Sequence, residues 1–258
     1  MSLLNGLFKF RALSEDEAVK PFLAHLEDLR TMLFKMIATV VVGIIIAFSF
    51  HTRLLLFLQK PLHDIDPKLS ENLQVLGIMD PFTIVIKLSF YAGIVITFPI
   101  LLFFVAQFVM PALTSKEKKI VVPVIVIGFA LFLAGVSFAY YFILPKTLEF
   151  FFQFSADNGF RQTPTATNYF SFVAQMCLAL GAAAEMPVVI LALNFVGILS
   201  HNLMRRTRTF AIPLLTMLAI VIAPTPDPFT MLAISLPMYA LYEVCIWLTW
   251  LVDRRRAG

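Results

Sequence analysis

The sequence predicts an all-α fold in which six transmembrane helices form one integral membrane domain. Of the 258 residues, 60% are hydrophobic and only 14% are charged, whereas soluble domains carry about 25% charged residues. The mean hydropathy is +0.87, and a chain this short and this apolar cannot cover a soluble surface with polar groups. Six apolar stretches also approach or exceed the roughly 20 residues that a membrane helix needs.

Residues 1–32 are predicted to be a cytoplasmic N-terminal segment and not a cleaved leader. They lack the apolar core of roughly 7–15 residues and the small-residue cleavage site of a signal peptide. The spacing of Phe22, Leu26, Leu29 and Leu33 gives the end of this segment one apolar helical stripe. Glu27 and Asp28 lie about equally far from that stripe on opposite flanks, so the helical spacing does not choose between these two carboxylates.

The six predicted spans form a bundle over 33–251 and leave a cytoplasmic tail at 252–258. Their bounds are 33–51, 81–109, 120–144, 168–197, 209–223 and 229–251. Asp80 and Pro81 provide an N-cap and a first-turn proline for the second span. The fifth span has only 15 residues, about 22 Å of helix, and the three prolines of "PTPDP" force a tight turn into the sixth. Spans five and six are therefore predicted to be a short hairpin.

The distribution of lysine and arginine predicts the orientation. The N-terminal segment through Lys35, the 111–119 and 198–208 loops and the tail together hold 14 of these residues, and the opposite side holds 6. Both termini are therefore expected in the cytoplasm. The outward segments are 52–80 and 145–167, and "RLLLFLQKPLHD" has the pattern of an interfacial helix with one apolar side.

Polar groups are scarce within the predicted spans. They include Lys87, Gln107, Gln175, Glu185, Asn194 and Glu243, besides hydroxyl groups. This is too few for the chain to line a wide aqueous pore alone. Because a charge at the centre of a membrane helix costs about 2.5–3.5 kcal/mol, Glu185 is expected to face the bundle interior, a hydrated cavity or a partner. A hydrogen-bonded structural glutamate is the alternative left open.

The sequence does not predict an enzyme, a metal site or a bound cofactor. It contains no GxxxxGK[ST], GxGxxG, HExxH or paired CxxC motif, and its four histidines are scattered over both sides of the membrane. Cys177 and Cys245 lie inside apolar spans and are expected to be free core residues. The net charge of +4 does not require a nucleic acid partner.

Five segments, in order along the chain, resemble the TatC family, the multispanning receptor of the twin-arginine protein translocase. The two most specific are "FLAHLEDLRTMLFKM" and "FVMPALTSKEKKIVVP", each with a carboxylate among basic residues at the cytoplasmic surface. The others are "FAYYFILP", "AEMPVVI" and "APTPDPFTMLAISLPMYALYE". The resemblance runs from about residue 21 to residue 250 and implies a concave bundle with its short fifth and sixth helices.

The resemblance implies the site residues. Glu117 is expected to be the main partner of the consecutive arginines of a signal peptide, and Asp28 to assist it. Pro61, Phe108, Pro111, Tyr140, Glu185 and Asp227 stand where the family has recurrent residues. Glu185, Gln175, Tyr140 and Phe108 are expected to contact a partner in the membrane groove, and Pro61, Pro111, Asp227 and Arg30 to be structural or linked to transport. The chain departs from the family at Asp28, where glutamate is usual, and at Met32 and Met231, where basic and polar residues occur.

The chemistry of the residues agrees with an arginine receptor. A planar guanidinium can bond both oxygens of a carboxylate at once, which an ammonium cannot. The function that the resemblance implies is to bind twin-arginine signal peptides of folded cargo and to nucleate export driven by the proton-motive force. The expected partners are single-span subunits of the TatA and TatB type, further copies of the complex and lipids, and the expected location is the bacterial inner membrane.

Two other functions remain open from the residues alone. One is a proton-coupled small-solute transporter that uses Glu185 as its proton carrier. The other is a structural membrane scaffold, in which Glu117 would be an ordinary surface charge.

Overall fold

The structure, a computed structural model, describes residues 2–109, 121–160, 162–195, 199–223, 225 and 227–257. For residues 2–25 it describes the helix alone. Within these ranges the chain is helical, and the one β-bridge joins Gln74 to Thr165. The all-α fold that the composition predicts is confirmed for this part of the chain.

Ten α-helices and one π-helical turn follow one another in the described residues. They are α1 (Ser2–Ser49), α2 (His51–Ile65), α3 (Pro67–Glu71), α4 (Asp80–Val109), α5 (Val121–Phe138), the π turn (Ala139–Ile143), α6 (Leu144–Asp157), α7 (Ala166–Ala183), α8 (Met186–Phe195), α9 (His201–Ile222) and α10 (Pro228–Ala257). The predicted interfacial segment is the helix α2, which buries Leu58, Pro61 and Leu62 on one side.

Five helical stretches of the described chain are long and apolar enough to cross a membrane. They are Leu26–Ser49, Asp80–Val109, Val121–Asp157, Ala166–Asn194 and Pro228–Arg254. The helix α9 is not among them, because Arg205, Arg206 and Arg208 occupy its first turns and leave only a short uncharged remainder. The count of six spans therefore stays a prediction.

The third, fourth and fifth predicted spans differ from the helices that the structure has. The helix of the third span continues through the π turn to Asp157, well beyond 144. The fifth helix begins at His201, eight residues before the predicted 209, because Ser200 caps it by accepting a hydrogen bond from the Leu203 amide. The helices α9 and α10 have 22 and 30 residues, so neither helix is short, although the uncharged part of α9 is.

In the fourth span, the predicted 168–197 helix is broken. The helix α7 ends at Ala183 and α8 starts at Met186, with Ala184 and Glu185 between them. Pro187 has no backbone N–H to donate to residue 183, and its ring crowds that carbonyl. The break therefore follows from Pro187, and it lies at the carboxylate that the sequence analysis singles out.

The helix α7 lies at the centre of the fold. Val173 and Met176 are fully buried, and α7 contacts both α4 and α5. At one end of the bundle, two tyrosine hydroxyls hold α2 against this core. Tyr169 donates a hydrogen bond to the Leu58 carbonyl at 2.8 Å, and Tyr140 donates one to the Phe57 carbonyl.

Glycines allow two pairs of helices to approach at backbone distance. A Cβ added to Gly43 of α1 would lie 2.7 Å from the Gly93 carbonyl oxygen of α4, and a Cβ on Gly93 would lie 2.7 Å from the Ile44 nitrogen. Between α5 and α7, a Cβ on Gly135 would lie 2.6 Å from the Leu180 carbonyl oxygen. Membrane helices commonly use small residues in this way, because close backbone packing replaces the hydrophobic driving force.

The glycine contact fixes the register of α1 against α4. The two helices are antiparallel neighbours, and Gly43 is level with Gly93. Residue 28 precedes Gly43 by as many residues as residue 108 follows Gly93, about 22 Å of rise along each helix. Residues 28 and 108 therefore lie opposite each other. Asp28 and Phe108 do line one cavity. We call this part of the bundle the Asp28 end.

We predict that Gly135→Ala destabilises the chain, although Gly→Ala in a helix interior ordinarily stabilises it by about 1 kcal/mol. The new methyl group would meet the Leu180 carbonyl oxygen at 2.6 Å and the Ala184 Cβ at 2.7 Å, and overpacking costs about 1–3 kcal/mol. Thermal unfolding in detergent checks the sign. Ala134→Val, at the exposed neighbouring position, is the control and should change little. An equal or higher midpoint for Gly135→Ala would contradict the tight crossing.

Candidate functional site

A cavity of about 250 Å³ opens between α1 and α4 at the Asp28 end. Its walls combine one carboxylate, one ammonium group, two neutral polar groups and apolar side chains. The lining residues are Asp28, Thr31, Met32, Lys35, Phe104, Gln107 and Phe108. This composition suits a cationic ligand with a planar head group, since the carboxylate supplies charge and the two phenylalanines supply flat apolar surface.

The structure separates the two carboxylates that helical spacing leaves equivalent. Glu27 accepts a hydrogen bond from Arg30 at 3.1 Å, an exposed ion pair on α1. Asp28 lines the cavity and forms no ion pair or hydrogen bond with the described residues. The Asp28 carboxylate is therefore available to a ligand, whereas Glu27 already has a partner.

Arg30 lies away from this cavity. Its guanidinium sits 5.7 Å from the ring centroid of Phe34, and it borders a shallow apolar groove of about 330 Å³ along α1. Its contacts in the described chain are therefore with α1 itself, which fits a structural role for Arg30 better than direct binding of a cation.

Gln107, Lys35, Thr31 and Phe104 are cavity residues that the sequence analysis does not assign to a site. Lys35 follows Asp28 by two helical turns and so lies on the same face of α1. Gln107 reaches the cavity from the last turn of α4. The sequence features that relate to this pairing are Gly43 and Gly93, because their contact sets the register of α1 against α4 that brings Gln107 beside Asp28.

Glu117 and Pro111 lie outside the described residues. The structure therefore neither places them beside the cavity nor separates them from it, and their roles stay predictions. Phe108, a predicted site residue near the end of α4, lies within the described residues. It lines the cavity together with Asp28.

Glu185 occupies the break between α7 and α8 and is 8% exposed. Neither of its carboxylate oxygens has a hydrogen-bond partner among the described residues. The carboxylate lies against α5, where a Cβ on Gly128 would be 3.0 Å from Oε2. Gly128 thus makes room for the carboxylate. The alternative of a hydrogen-bonded structural glutamate finds no bonding partner in this part of the chain.

Gln175 and Tyr140 make internal contacts. The Gln175 amide donates a hydrogen bond to the Tyr91 hydroxyl at 3.2 Å, linking α7 to α4. Tyr140 is 5% exposed, and its ring stacks on Phe57 with centroids 4.5 Å apart. These two side chains support neighbouring helices, and Gln175 remains partly exposed. Their contact with a partner stays a prediction. Pro61 is likewise buried in α2.

Asp227 caps α10. Its carboxylate accepts hydrogen bonds from the Thr230 amide at 2.7 Å and from the Thr225 hydroxyl at 2.6 Å. Partial burial works against ionisation, but these hydrogen bonds outweigh it and lower the pKa of Asp227 below its ordinary value of 3.8. The carboxylate at the tip of the α9–α10 hairpin is therefore a structural cap.

Comparison with known proteins gives one consistent family. The family model for the Sec-independent protein translocase protein (TatC) matches residues 24–237. The Sec-independent protein translocase protein TatC of Listeria innocua is 36% identical over 231 residues, which cover 90% of this chain and 92% of that protein. The TatC protein of Akkermansia muciniphila is 44% identical over 179 residues, and the match spans about half of that relative, 51% of its length.

A solved structure agrees with the sequence relatives. A crystal structure described as the twin arginine translocase receptor TatC superposes with a TM-score of 0.80 and 31% sequence identity. The superposition covers 89% of this chain and 99% of that chain. The architecture described above is thus shared over nearly the full length of that structure.

We predict that Asp227→Ala lowers the free energy of unfolding by about 1 kcal/mol at neutral pH, the usual cost of losing an N-cap. Because the folded pKa lies below 3.8, the stabilisation is complete above the unfolded pKa and is lost as the pH falls through the lower, folded pKa. Thermal melts of Asp227→Ala and of the exposed control Asp64→Ala, from pH 7 to pH 3, measure it. A pH-independent difference would contradict a cap that depends on ionisation.

Proposed function

The chain belongs to the TatC family of Sec-independent protein translocase proteins, and from that premise we propose that it is the receptor component of a twin-arginine translocase. In this role it binds the twin-arginine signal peptides of folded cargo and nucleates export driven by the proton-motive force. The single observation that carries the proposal for this chain is the cavity between α1 and α4, where Asp28 lies without a partner among the described residues.

The proposed orientation follows the positive-inside rule. The chain crosses a bacterial inner membrane six times, with α9 as the additional span, and both termini are cytoplasmic. The Asp28 end of the bundle then faces the cytoplasm, where signal peptides are presented. The outer side carries α2, α3 and the end of α6.

Recognition rests on charge and geometry. An arginine of the signal peptide enters the cavity and forms hydrogen bonds with the Asp28 carboxylate, while Phe104 and Phe108 contact the flat guanidinium. Glu117 takes the other arginine from the loop between α4 and α5. Hydrogen bonds that involve charged groups contribute roughly 1.5–3 kcal/mol each, so two such sites are enough to select a paired arginine motif.

Glu185 is proposed to meet a partner within the membrane. A buried carboxylate without a hydrogen-bond partner among the described residues is costly, and a polar group from a single-span TatA- or TatB-type subunit, or from the signal peptide, would relieve that cost. The passage for cargo is then built by the assembly, which agrees with the small number of polar groups in the spans.

The small-solute transporter is the weaker alternative. The family, its relatives and the superposed structure all belong to protein translocases. A transporter that carries protons on Glu185 also requires solute-dependent proton flux from the purified chain alone. Measuring that flux distinguishes the two proposals.

We predict that Asp28→Asn weakens the binding of a synthetic Arg-Arg signal peptide by about tenfold, since the neutral amide keeps the shape but loses the charge-assisted bonds. Glu117→Gln is expected to weaken it at least as much. Fluorescence anisotropy with the purified chain measures both. Glu27→Gln is the matched control, because its carboxylate pairs with Arg30. If Glu27→Gln weakens binding and Asp28→Asn does not, the cavity is not the arginine site.

We predict that Glu185→Leu keeps or raises the thermal midpoint of the isolated chain, because the carboxylate lacks partners in the described chain and an apolar side chain avoids its desolvation cost. The same variant should reduce co-purification of single-span subunits from membranes. A lower midpoint with unchanged co-purification would instead identify Glu185 as a structural residue.

A further inference from the structure

We propose that Gln107 is the residue by which the cavity at Asp28 distinguishes the guanidinium of arginine from the ammonium of lysine. This inference rests on the proposed function, in which the cavity receives a signal-peptide arginine. It adds a specificity-determining side chain on α4 that lines the same cavity of about 250 Å³ as the carboxylate of α1.

The two ligands differ in the arrangement of their hydrogen-bond donors. A guanidinium presents five N–H donors in one plane, whereas an ammonium presents three donors around a compact charge. The Asp28 carboxylate can accept two parallel N–H bonds along one edge of a guanidinium. The guanidinium carries further donors on nitrogens that point away from the carboxylate, so it can also bond an acceptor on the opposite wall of the cavity. An ammonium carries all three donors on one nitrogen and reaches a second acceptor only where both acceptors lie within bond distance of that atom.

Gln107 supplies an acceptor from the other wall. It lies in the last turn of α4 and lines the cavity. No described residue hydrogen-bonds to its side-chain amide, so its carbonyl oxygen is available. Asp28 on α1 and Gln107 on α4 therefore approach a bound guanidinium from two helices whose register is set by the contact of Gly43 with Gly93.

The other polar groups of the cavity do not discriminate in this way. The Thr31 hydroxyl lies on α1, one helical turn from Asp28, so it adds an acceptor on the same wall as the carboxylate and none on the opposite wall. Phe104 and Phe108 offer aromatic faces, which attract both kinds of cation and favour the flatter one. Gln107 is the neutral group whose removal should affect arginine selectively.

Lys35 is a cation in the same cavity, and its removal is expected to affect arginine and lysine ligands equally. Its ammonium lines the same cavity on the same face of α1 as Asp28, and it forms no ion pair within 4.0 Å with any described carboxylate. Coulomb repulsion from Lys35 acts on a bound arginine and a bound lysine alike. Lys35 therefore lowers the affinity of the cavity for every cation and leaves the preference unchanged.

The test compares two peptides that differ only in Arg-Arg or Lys-Lys, each carrying fluorescein and titrated with the purified full chain in lipid nanodiscs. Gln107→Met keeps the length of the side chain and removes the carbonyl. We expect it to raise the Kd of the Arg-Arg peptide about tenfold and to leave the Kd of the Lys-Lys peptide within twofold. The ratio of the Lys-Lys Kd to the Arg-Arg Kd should thus fall about tenfold.

Two further variants guard against misfolding as an explanation. Lys35→Met should lower both Kd values by the same factor. Gln107→Glu should also lower both, because it adds a second carboxylate, and it should reduce the ratio. A gain of affinity does not arise from a damaged fold, and thermal melts verify that each variant keeps the midpoint of the parent chain.

The failures of the two proposals are distinguishable. If the parent chain does not prefer Arg-Arg and Asp28→Asn has no effect, the proposed function of the cavity fails. If the parent chain prefers Arg-Arg and depends on Asp28, while Gln107→Met changes both Kd values equally or changes neither, the role of Gln107 is overturned and the receptor function stands.

Discussion

The close contact between Gly43 of α1 and Gly93 of α4 is the constraint on which the candidate site depends. Without Cβ atoms the two helices meet at backbone distance, and this contact leaves one axial register between them. That register brings Asp28 beside Gln107 some 22 Å farther along the helices, a rise of about 1.5 Å per residue. A larger side chain at either glycine would separate the helices and widen the cavity, so in the proposed function a packing contact within the spans controls recognition at the Asp28 end.

The spans contain few polar groups, and two carboxylates among the described residues, Asp28 and Glu185, lie in different surroundings. At the Asp28 end the carboxylate lines an open cavity. In the middle of the bundle, Glu185 lies at a proline-induced helix break and is 8% exposed. A chain with so few polar groups in its spans does not form a pathway by itself. In the proposed function it offers one polar site to a signal peptide and one to a membrane partner, and the assembly supplies the remainder of the apparatus.

The sequence predicts the helical membrane fold well and the site only in part. Hydropathy locates the apolar stretches. Asp80 stands where α4 starts, but it is the first residue of the helix and its carboxylate accepts a hydrogen bond from the preceding Gly77 amide, so the predicted N-cap is not formed. The break at Glu185 escapes prediction because hydropathy does not register the missing N–H of Pro187. The pairing of Gln107 with Asp28 escapes it because neither span alone carries information on their mutual register, and the choice between Glu27 and Asp28 requires knowing which side of α1 packs on α4.

The most direct test of the arginine cavity is site-specific photo-crosslinking to a bound signal peptide. A photoreactive phenylalanine analogue would replace Met32, in the wall of the cavity, or Phe34, which is 61% exposed in the groove along α1 away from it. The account predicts that an Arg-Arg peptide crosslinks at residue 32 and not at residue 34, and that a Lys-Lys peptide crosslinks at neither. Equal crosslinking at both positions, or crosslinking at residue 34 alone, would contradict it.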